Sequence, residues 1–540
     1  MQNEPWFKKC VLYQIYPRSF KDSNNDGVGD LKGIIEKLDY LYGTDDSLGV
    51  NAIWISPIYA SPMVDFGYDV SDYYSIHPIF GTMSDFDELV RLAHKRDLKI
   101  MMDYVPSHTS DQHEWFKQSK SSVNNPKRDW YIWADPASDG GPPNNWLSVF
   151  GGSAWEYDQK TKQYYLHTFL KEQPDLNWRN PKLKNEMMDV LRFWIEKGVD
   201  GFRTDAFPHI FKDPKLRNEP KNAKYKPNQS SWNQLKHIYT LELPDAAKLY
   251  DWFEEIFNEY PNRQLYMVTE DYTDIKGLKW HYKNSNPKHF APLNLNMTGI
   301  KWNAKSIKTF IDKCEASLDD DDWPNYGFGN HDVDRVSQRY GIKNTRVVAM
   351  LLLTLRGMPI LYYGDELGMQ NCKIPADKVQ DPFELRDPGK GTGRDPQRTP
   401  MQWDDSKFAG FSETEPWLPI SKDCKSYNVK RLEKDKQSIL SLYKLLSKTR
   451  TFSEALSMGK YAPNDLGNKN IFSFYRVRKN EKYLIILNFS GAKQKVKINE
   501  QALTIIVDTN MTRNGQIIKS GIFEVKGNAG YLMRLRTYDY

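Results

Sequence analysis

Three times along this chain a helix-patterned stretch runs straight into a short apolar segment that ends on an acid. From Ser84, the apolar residues Phe86, Leu89, Leu92 and Ala93 recur at helical spacing, and Ser84 with Asp87 three residues on resembles a capping box. The strand-like run 98–102 then delivers Asp103. The second helix opens on Asn180 as N-cap with Pro181 at its first position, buries Leu183, Met187, Val190, Leu191 and Trp194, and stops at Gly198. The strand through Phe202 delivers Asp205. From Ala246, the residues Leu249, Phe253, Ile256 and Phe257 repeat the stripe, Pro261 breaks it, and the run 265–268 delivers Glu270. Alternation of this kind implies a parallel sheet, and an acid at the C-terminal end of a strand is where a β/α barrel keeps its chemistry. The expected fold is α/β: a (β/α)8 TIM barrel.

The spacing of the acids predicts what decorates that barrel. One βα unit takes roughly 30 residues, yet Asp103 and Asp205 stand about three times that far apart. The Ser-, Asn-, Pro- and Trp-rich text between them, around Pro142-Pro143-Asn144-Asn145-Trp146, predicts an inserted subdomain over residues 109–178, after strand 3. The barrel itself is then assigned to 1–108 and 179–458. A second irregular region, 371–419, is rich in Asp, Pro and Gly and reads as another loop at the barrel mouth. After Gly459 the pattern changes to short alternating strands such as 471–475 and 483–489, which predicts a C-terminal antiparallel β domain over 459–540.

Bulk properties exclude several partners. The 540 residues carry 75 basic and 70 acidic side chains, a net charge of +5 with no Lys/Arg tract, so nothing points to nucleic acid. No run of about twenty apolar residues exists to span a membrane, and Met1-Gln2-Asn3-Glu4-Pro5 lacks the apolar segment of a leader. Cys10, Cys314, Cys372 and Cys424 allow three pairings and show no metal spacing. Oligomeric state is not legible. The partner expected is a small oligosaccharide or disaccharide, because Asp103, Asp205, Glu270 and Asp332 at one barrel mouth suit glycosidic bond cleavage by paired carboxylates.

The motifs themselves carry a resemblance. Tyr13-Gln14-Ile15-Tyr16-Pro17-Arg18-Ser19-Phe20, Asp103-Tyr104-Val105-Pro106-Ser107-His108, Gln173-Pro174-Asp175-Leu176-Asn177, Gly201 to Asp205, Thr269-Glu270, Gly329-Asn330-His331-Asp332 and Arg398-Thr399-Pro400-Met401-Gln402-Trp403 follow one another in family order. With them the chain resembles α-glucosidases of the α-amylase clan of glycoside hydrolases, most of all insect gut maltases and sucrases. The resemblance implies a retaining, exo-acting α-glucosidase, secreted with a leader absent from this chain or else cytoplasmic. Alternatives are a transglucosidase or sucrose-isomerising enzyme, and a non-catalytic escort of amino-acid transporters, which the intact acids oppose.

It also implies roles. Asp205 would be the nucleophile, Glu270 the general acid and base, and Asp332 the holder of glucose hydroxyls. His108 and His331 would donate hydrogen bonds to the same ring. Tyr68 would stack on the glucose face, Phe169 would wall the pocket, and Asp65 would bind the far hydroxyls with Arg398 as its partner. Arg203, two residues before Asp205 on a strand, points to the same side and should keep Asp205 ionised. Asp271 should face away from Glu270 into solvent. Ala206, where the family's α-1,6 enzymes tend to carry Val, implies maltose- or sucrose-type substrates. Finally, loop 22–30 carries oxygen donors at alternate positions. Asp22, Asn24, Asp26, Asp30 and the Val28 carbonyl follow the logic of a structural Ca²⁺ site (or Mg²⁺), with a metal-free Asx-rich turn as the alternative.

Overall fold

The computed structural model describes residues 4–536. Met1–Asn3, on which part of the leader reading rests, and 537–540 lie outside them. Eight strands form the barrel: β1 (Leu12–Ile15), β2 (Ala52–Ile55), β3 (Lys99–Tyr104), β4 (Gly201–Thr204), β5 (Tyr266–Asp271), β6 (Phe290–Asn294), β7 (Asn325–Gly327) and β8 (Met358–Tyr362). They hydrogen-bond in the order β6-β5-β4-β3-β2-β1-β8-β7, and every pairing is parallel. At the β6/β7 seam the Asn325 side chain bridges the gap. Its Nδ2 donates to the Pro292 carbonyl at 2.7 Å and its Oδ1 accepts from the Asn294 N–H at 2.8 Å.

The strands read as near-continuous buried runs because helices cover their outer side. Helix α1 (Met83–His94) buries Phe86, Leu89, Val90 and Ala93. Its cap, however, is Thr82 with Asp85 rather than Ser84 with Asp87. The Thr82 side chain accepts from the Asp85 N–H while Asp85 accepts from the Thr82 N–H. Gly81 permits this: a Cβ there would stand 2.8 Å from the Asp85 carboxylate. Helix α2 (Pro181–Glu196) is capped by Asn180, whose side chain accepts from Lys182 and Leu183, and ends before Gly198 at φ +99°. Helix α3 (Ala247–Asn258) buries Leu249, Tyr250, Phe253, Ile256 and Phe257.

Between β3 and β4 the chain leaves the barrel. It forms the helix Glu114–Ser121 and a small antiparallel sheet of Trp133–Ala134, Gln163–Leu166 and Trp155–Asp158, then returns beside its exit where His108 bridges to Asp175. After β8, 371–419 is irregular but for short helical turns at Ala376–Lys378, Pro382–Arg386 and Asp395–Gln397. A six-stranded antiparallel sheet, Lys460–Asn464 through Gly530–Leu535, follows with its own apolar core around Leu484, Ile486, Ile505 and Met533.

Candidate active site

A cavity of about 390 Å³ opens at the C-terminal ends of the strands, within the range of ordinary ligand pockets. The strand ends dictate its floor. Gly201 on β4 is required by close packing, since a Cβ would lie 2.3 Å from the Tyr266 carbonyl oxygen on β5. Two residues on, the fully buried Arg203 reaches the barrel axis and gathers three carboxylates. Its Nη1 donates to Asp103 at 2.6 Å and to Asp205 at 2.7 Å, and its Nη2 lies 2.5 Å from Glu270. Asp103 is held further by the Trp54 indole N–H at 2.9 Å. Just past Asp205 the chain turns left-handed at Ala206 (φ +47°, ψ 35°), and this aims the Ala206 N–H at Glu270 Oε2, 3.0 Å away.

Burial pushes the Asp205 and Glu270 carboxyls up from their ordinary range against the opposing pull of Arg203, and the surrounding acids push the same way. The two carboxyls share one guanidinium. The expectation that Arg203 keeps Asp205 ionised is therefore corrected: the guanidinium is shared with Asp103 and Glu270, and its pull does not offset the burial that pushes the Asp205 carboxyl up. Asp271 also departs from expectation. It is buried rather than solvated, because His281 on the following helix meets its carboxylate at 2.7 Å, and Tyr250 closes the chain on His281 at 2.6 Å.

A second arginine cluster faces the first across the pocket. Arg394 Nη2 donates to Asp65 at 2.8 Å and to Asp381 at 2.7 Å, and its Nη1 reaches Asp332 at 3.4 Å. Arg398 donates from Nη2 to Asp332 at 2.9 Å and from Nε to the His331 carbonyl at 2.8 Å. The partner of Asp65 is thus Arg394, not Arg398: Asp381 holds the Arg394 guanidinium beside Asp65, while Arg398 is taken up by Asp332 and the His331 carbonyl. Burial alone would raise the Asp332 carboxyl, but the Arg398 and Arg394 guanidiniums, with the His331 Nε2 3.3 Å away, outweigh it and hold the group below the usual carboxylate range.

The aromatic and imidazole residues close this floor. His331 is sandwiched between Tyr68 (centroids 5.4 Å apart, 4° between planes) and Tyr16 (5.6 Å, 19°). Gln14 Nε2 lies 2.8 Å from its Nδ1, so its Nε2–H faces the Tyr68 hydroxyl at 2.7 Å. His108 lies between the Ser107 hydroxyl at 2.6 Å and the Tyr68 carbonyl at 3.1 Å, so both its nitrogens have protein partners. Burial lowers both imidazoles, His108 to about 4, and keeps them neutral. Phe169 packs on His108 at 5.1 Å and lines the cavity.

Asp65, Tyr68, His108, Phe169, Asp205, Glu270, His331 and Asp332 thus share one cavity wall, with Arg203 and Arg398 directly behind them. Sequence reasoning missed Arg394, Asp381, Phe150, His209, Trp232, Tyr272 and Phe383, which come from loops and short helical turns. A charged Arg394 inside a Pro- and Gly-rich stretch, four residues before Arg398, was the one available signal. Loop 22–30 lies apart from this wall. Asp22 accepts the N–H groups of Asn24, Asn25 and Gly27, Asp26 accepts that of Val28, and Asp30 accepts those of Ser23 and Gly33. Among the described residues no three His, Cys, Asp or Glu side chains cluster as a metal site.

Comparison with known proteins agrees over nearly the whole chain. Residues 14–459 match the family model of the alpha amylase catalytic domain. The chain is 40% identical over 506 residues to an alpha-glucosidase of Culex pipiens, covering 92% of this chain and 83% of that protein. It is 38% identical to Maltase 1 of Drosophila virilis, covering 99% and 88%. Among solved structures, the alpha-glucosyl transfer enzyme XgtA is 36% identical and superposes with a TM-score of 0.91 over 99% of this chain and 100% of its own.

Proposed function

The chain belongs to the alpha-amylase catalytic domain family, and on that premise we propose a retaining exo-α-glucosidase that releases terminal glucose from maltose- or sucrose-type oligosaccharides. The observation that carries this reading is Arg203 spanning Asp205 and Glu270 with one guanidinium. Such closeness suits double displacement, in which the two carboxyl groups stand about 5–5.5 Å apart, better than inversion at about 6.5–9.5 Å.

In the first step Asp205 bonds to the anomeric carbon as the glycosidic C–O bond breaks, and Glu270 delivers its proton to the departing oxygen. In the second, Glu270 takes a proton from water, whose oxygen displaces Asp205 and restores the α configuration. The raised Glu270 carboxyl serves the proton-carrying role. Asp332, Asp65, Arg394 and the two histidines would grip the hydroxyls of the bound glucose. The closed, charged floor favours exo attack.

Glucose release from maltose, sucrose and a nitrophenyl α-glucoside, with the Asp205→Asn variant as control, tests the proposal. A parent protein inactive on all three would overturn it. Transglucosylation is the second reading, favoured by the likeness to a solved glucosyl transfer enzyme. Fructose with little free glucose from concentrated sucrose would select it. For loop 22–30 we infer a structural Ca²⁺ (or Mg²⁺) site held by Asp22, Asn24, Asp26, Asp30 and the Val28 carbonyl. An all-oxygen donor set suits a hard cation.

A further inference from the structure

Behind Glu270 four side chains and the β5 backbone close a ring of hydrogen bonds. Strand alternation turns Thr269 and Asp271 to the side opposite Glu270. There the Asp271 carboxylate accepts from His281 Nε2 at 2.7 Å, and the Tyr250 hydroxyl meets His281 Nδ1 at 2.6 Å. The same hydroxyl reaches Thr269 Oγ1 at 2.9 Å, so the circuit returns to β5 on both sides of Glu270. Its members come from three elements: β5, α3 and the helix Ile275–Asn284. None of the four is more than 4% exposed.

The ring also supports the second contact to Glu270. The Phe207 ring lies 5.5 Å from the His281 imidazole and 5.2 Å from the Tyr250 ring. Phe207 directly follows Ala206, whose N–H donates to Glu270 Oε2. The strand that carries Glu270 and the turn that holds its carboxyl therefore rest on one imidazole. Asp205 is fixed separately, by Arg203 and by its own N–H on the Tyr104 carbonyl at 2.8 Å. Neither His281 nor Tyr250 lines the active-site cavity. Apolar side chains would fill their space more cheaply, since a buried carboxylate is unfavourable unless it is paired and hydrogen-bonded. What directional bonds add is a fixed position, and a displacement of about 1 Å at a reacting group can cost on the order of 10²-fold in rate.

We propose that Asp271, His281 and Tyr250 are positioning residues for the general acid, holding Glu270 where its proton meets the departing glycosidic oxygen. The inference rests on the α-glucosidase reading and adds what keeps its acid in place. Breaking the ring then damages the protonation that Glu270 supplies. Substrates whose leaving group needs that proton suffer most. A residue that only stabilised the fold would lower Tm and leave the ratio between two substrates unchanged.

The test measures kcat/KM of His281→Phe and Tyr250→Phe on maltose and on a nitrophenyl α-glucoside, per folded molecule. His281→Phe keeps an aromatic ring against Phe207 but cuts both arms of the circuit. It should lose on the order of 10²-fold on maltose and under about fivefold on the nitrophenyl substrate, whose leaving group needs little protonation. Tyr250→Phe removes one hydroxyl at constant shape and should show the same split at about tenfold on maltose. It decides the matter should His281→Phe not fold. In a Glu270→Gln background either substitution should lower maltose cleavage by under about twofold, because no acid is left to misplace. Equal losses on both substrates, losses that persist in full beside Glu270→Gln, or undiminished maltose cleavage in both variants overturn the inference. If the parent still cleaves maltose, the α-glucosidase reading survives that result. If the parent hydrolyses no α-glucoside, both fall.

Discussion

Two arginine clusters face each other across one pocket, built from the same ion-pair chemistry but set on different kinds of backbone. Arg203 stands on a barrel strand and holds Asp103, Asp205 and Glu270, all at strand ends. Arg394 stands on a loop and holds Asp65, Asp332 and Asp381, all from loops or short turns. Strand spacing fixes the first cluster to within the tolerance that bond-making demands. The second needs only to grip hydroxyl groups, and loops can be exchanged without disturbing the barrel. The contrast teaches where this fold keeps chemistry and where it keeps recognition.

The sharpest break of that contrast is Asp205→Asn, which should lower kcat on maltose on the order of 10⁴-fold or more while the protein stays folded. Glu270→Gln should follow with about 10²–10⁴ on maltose and a smaller loss on a nitrophenyl glucoside, whose leaving group needs little protonation. A comparable loss on both substrates would deny Glu270 the acid's role. Next comes the recognition cluster. A double-mutant cycle of Asp65→Asn with Arg394→Met should show a coupling of about 1–3 kcal/mol in substrate binding, and the same cycle with Arg398→Met under about 0.5 kcal/mol. Equal couplings would restore Arg398 as the partner of Asp65.

The pH profile separates the clusters further. Because the Asp205 and Glu270 carboxyls are both raised, the alkaline limb of kcat/KM should lie above the ordinary carboxylate range, with activity falling as pH rises and the pair loses its last proton. Asp332 is held low, so its grip should persist until strongly acidic pH. In stability terms the sign is opposite for the two. A depressed Asp332 contributes stability above its unfolded value that is lost as pH falls through its folded one. The raised pair contributes most when protonated and loses that contribution as pH rises. The smallest effect belongs to loop 22–30: chelation with EDTA should lower Tm by a few degrees if a cation sits there, and leave it unchanged if the N–H bonds of the Asx turns suffice.

Much of this was legible beforehand, for stated reasons. Asn180, Pro181 and Gly198 mark the ends of α2 by local chemistry that tertiary packing did not override. Thr82 was missed because two Ser/Thr–Asp pairs overlap there, and only the freedom of Gly81 selects between them. Asp271 was misread because strand alternation says which side a residue faces, not what waits there. His281, ten residues on in the next helix, turns a solvent-facing acid into a buried pair.

By itself the sequence determined three of the barrel's strands, each behind its helix, and the acids Asp103, Asp205 and Glu270 that they deliver. Periodicity and capping are local, and a parallel sheet converts them into a ring with few choices. Only the tertiary structure decided that Arg203 is shared by two reacting carboxyls and that Arg394 reaches Asp65 from 329 residues away. Those contacts join residues whose spacing along the chain carries no period, so they exist only once the loops are closed over the folded barrel.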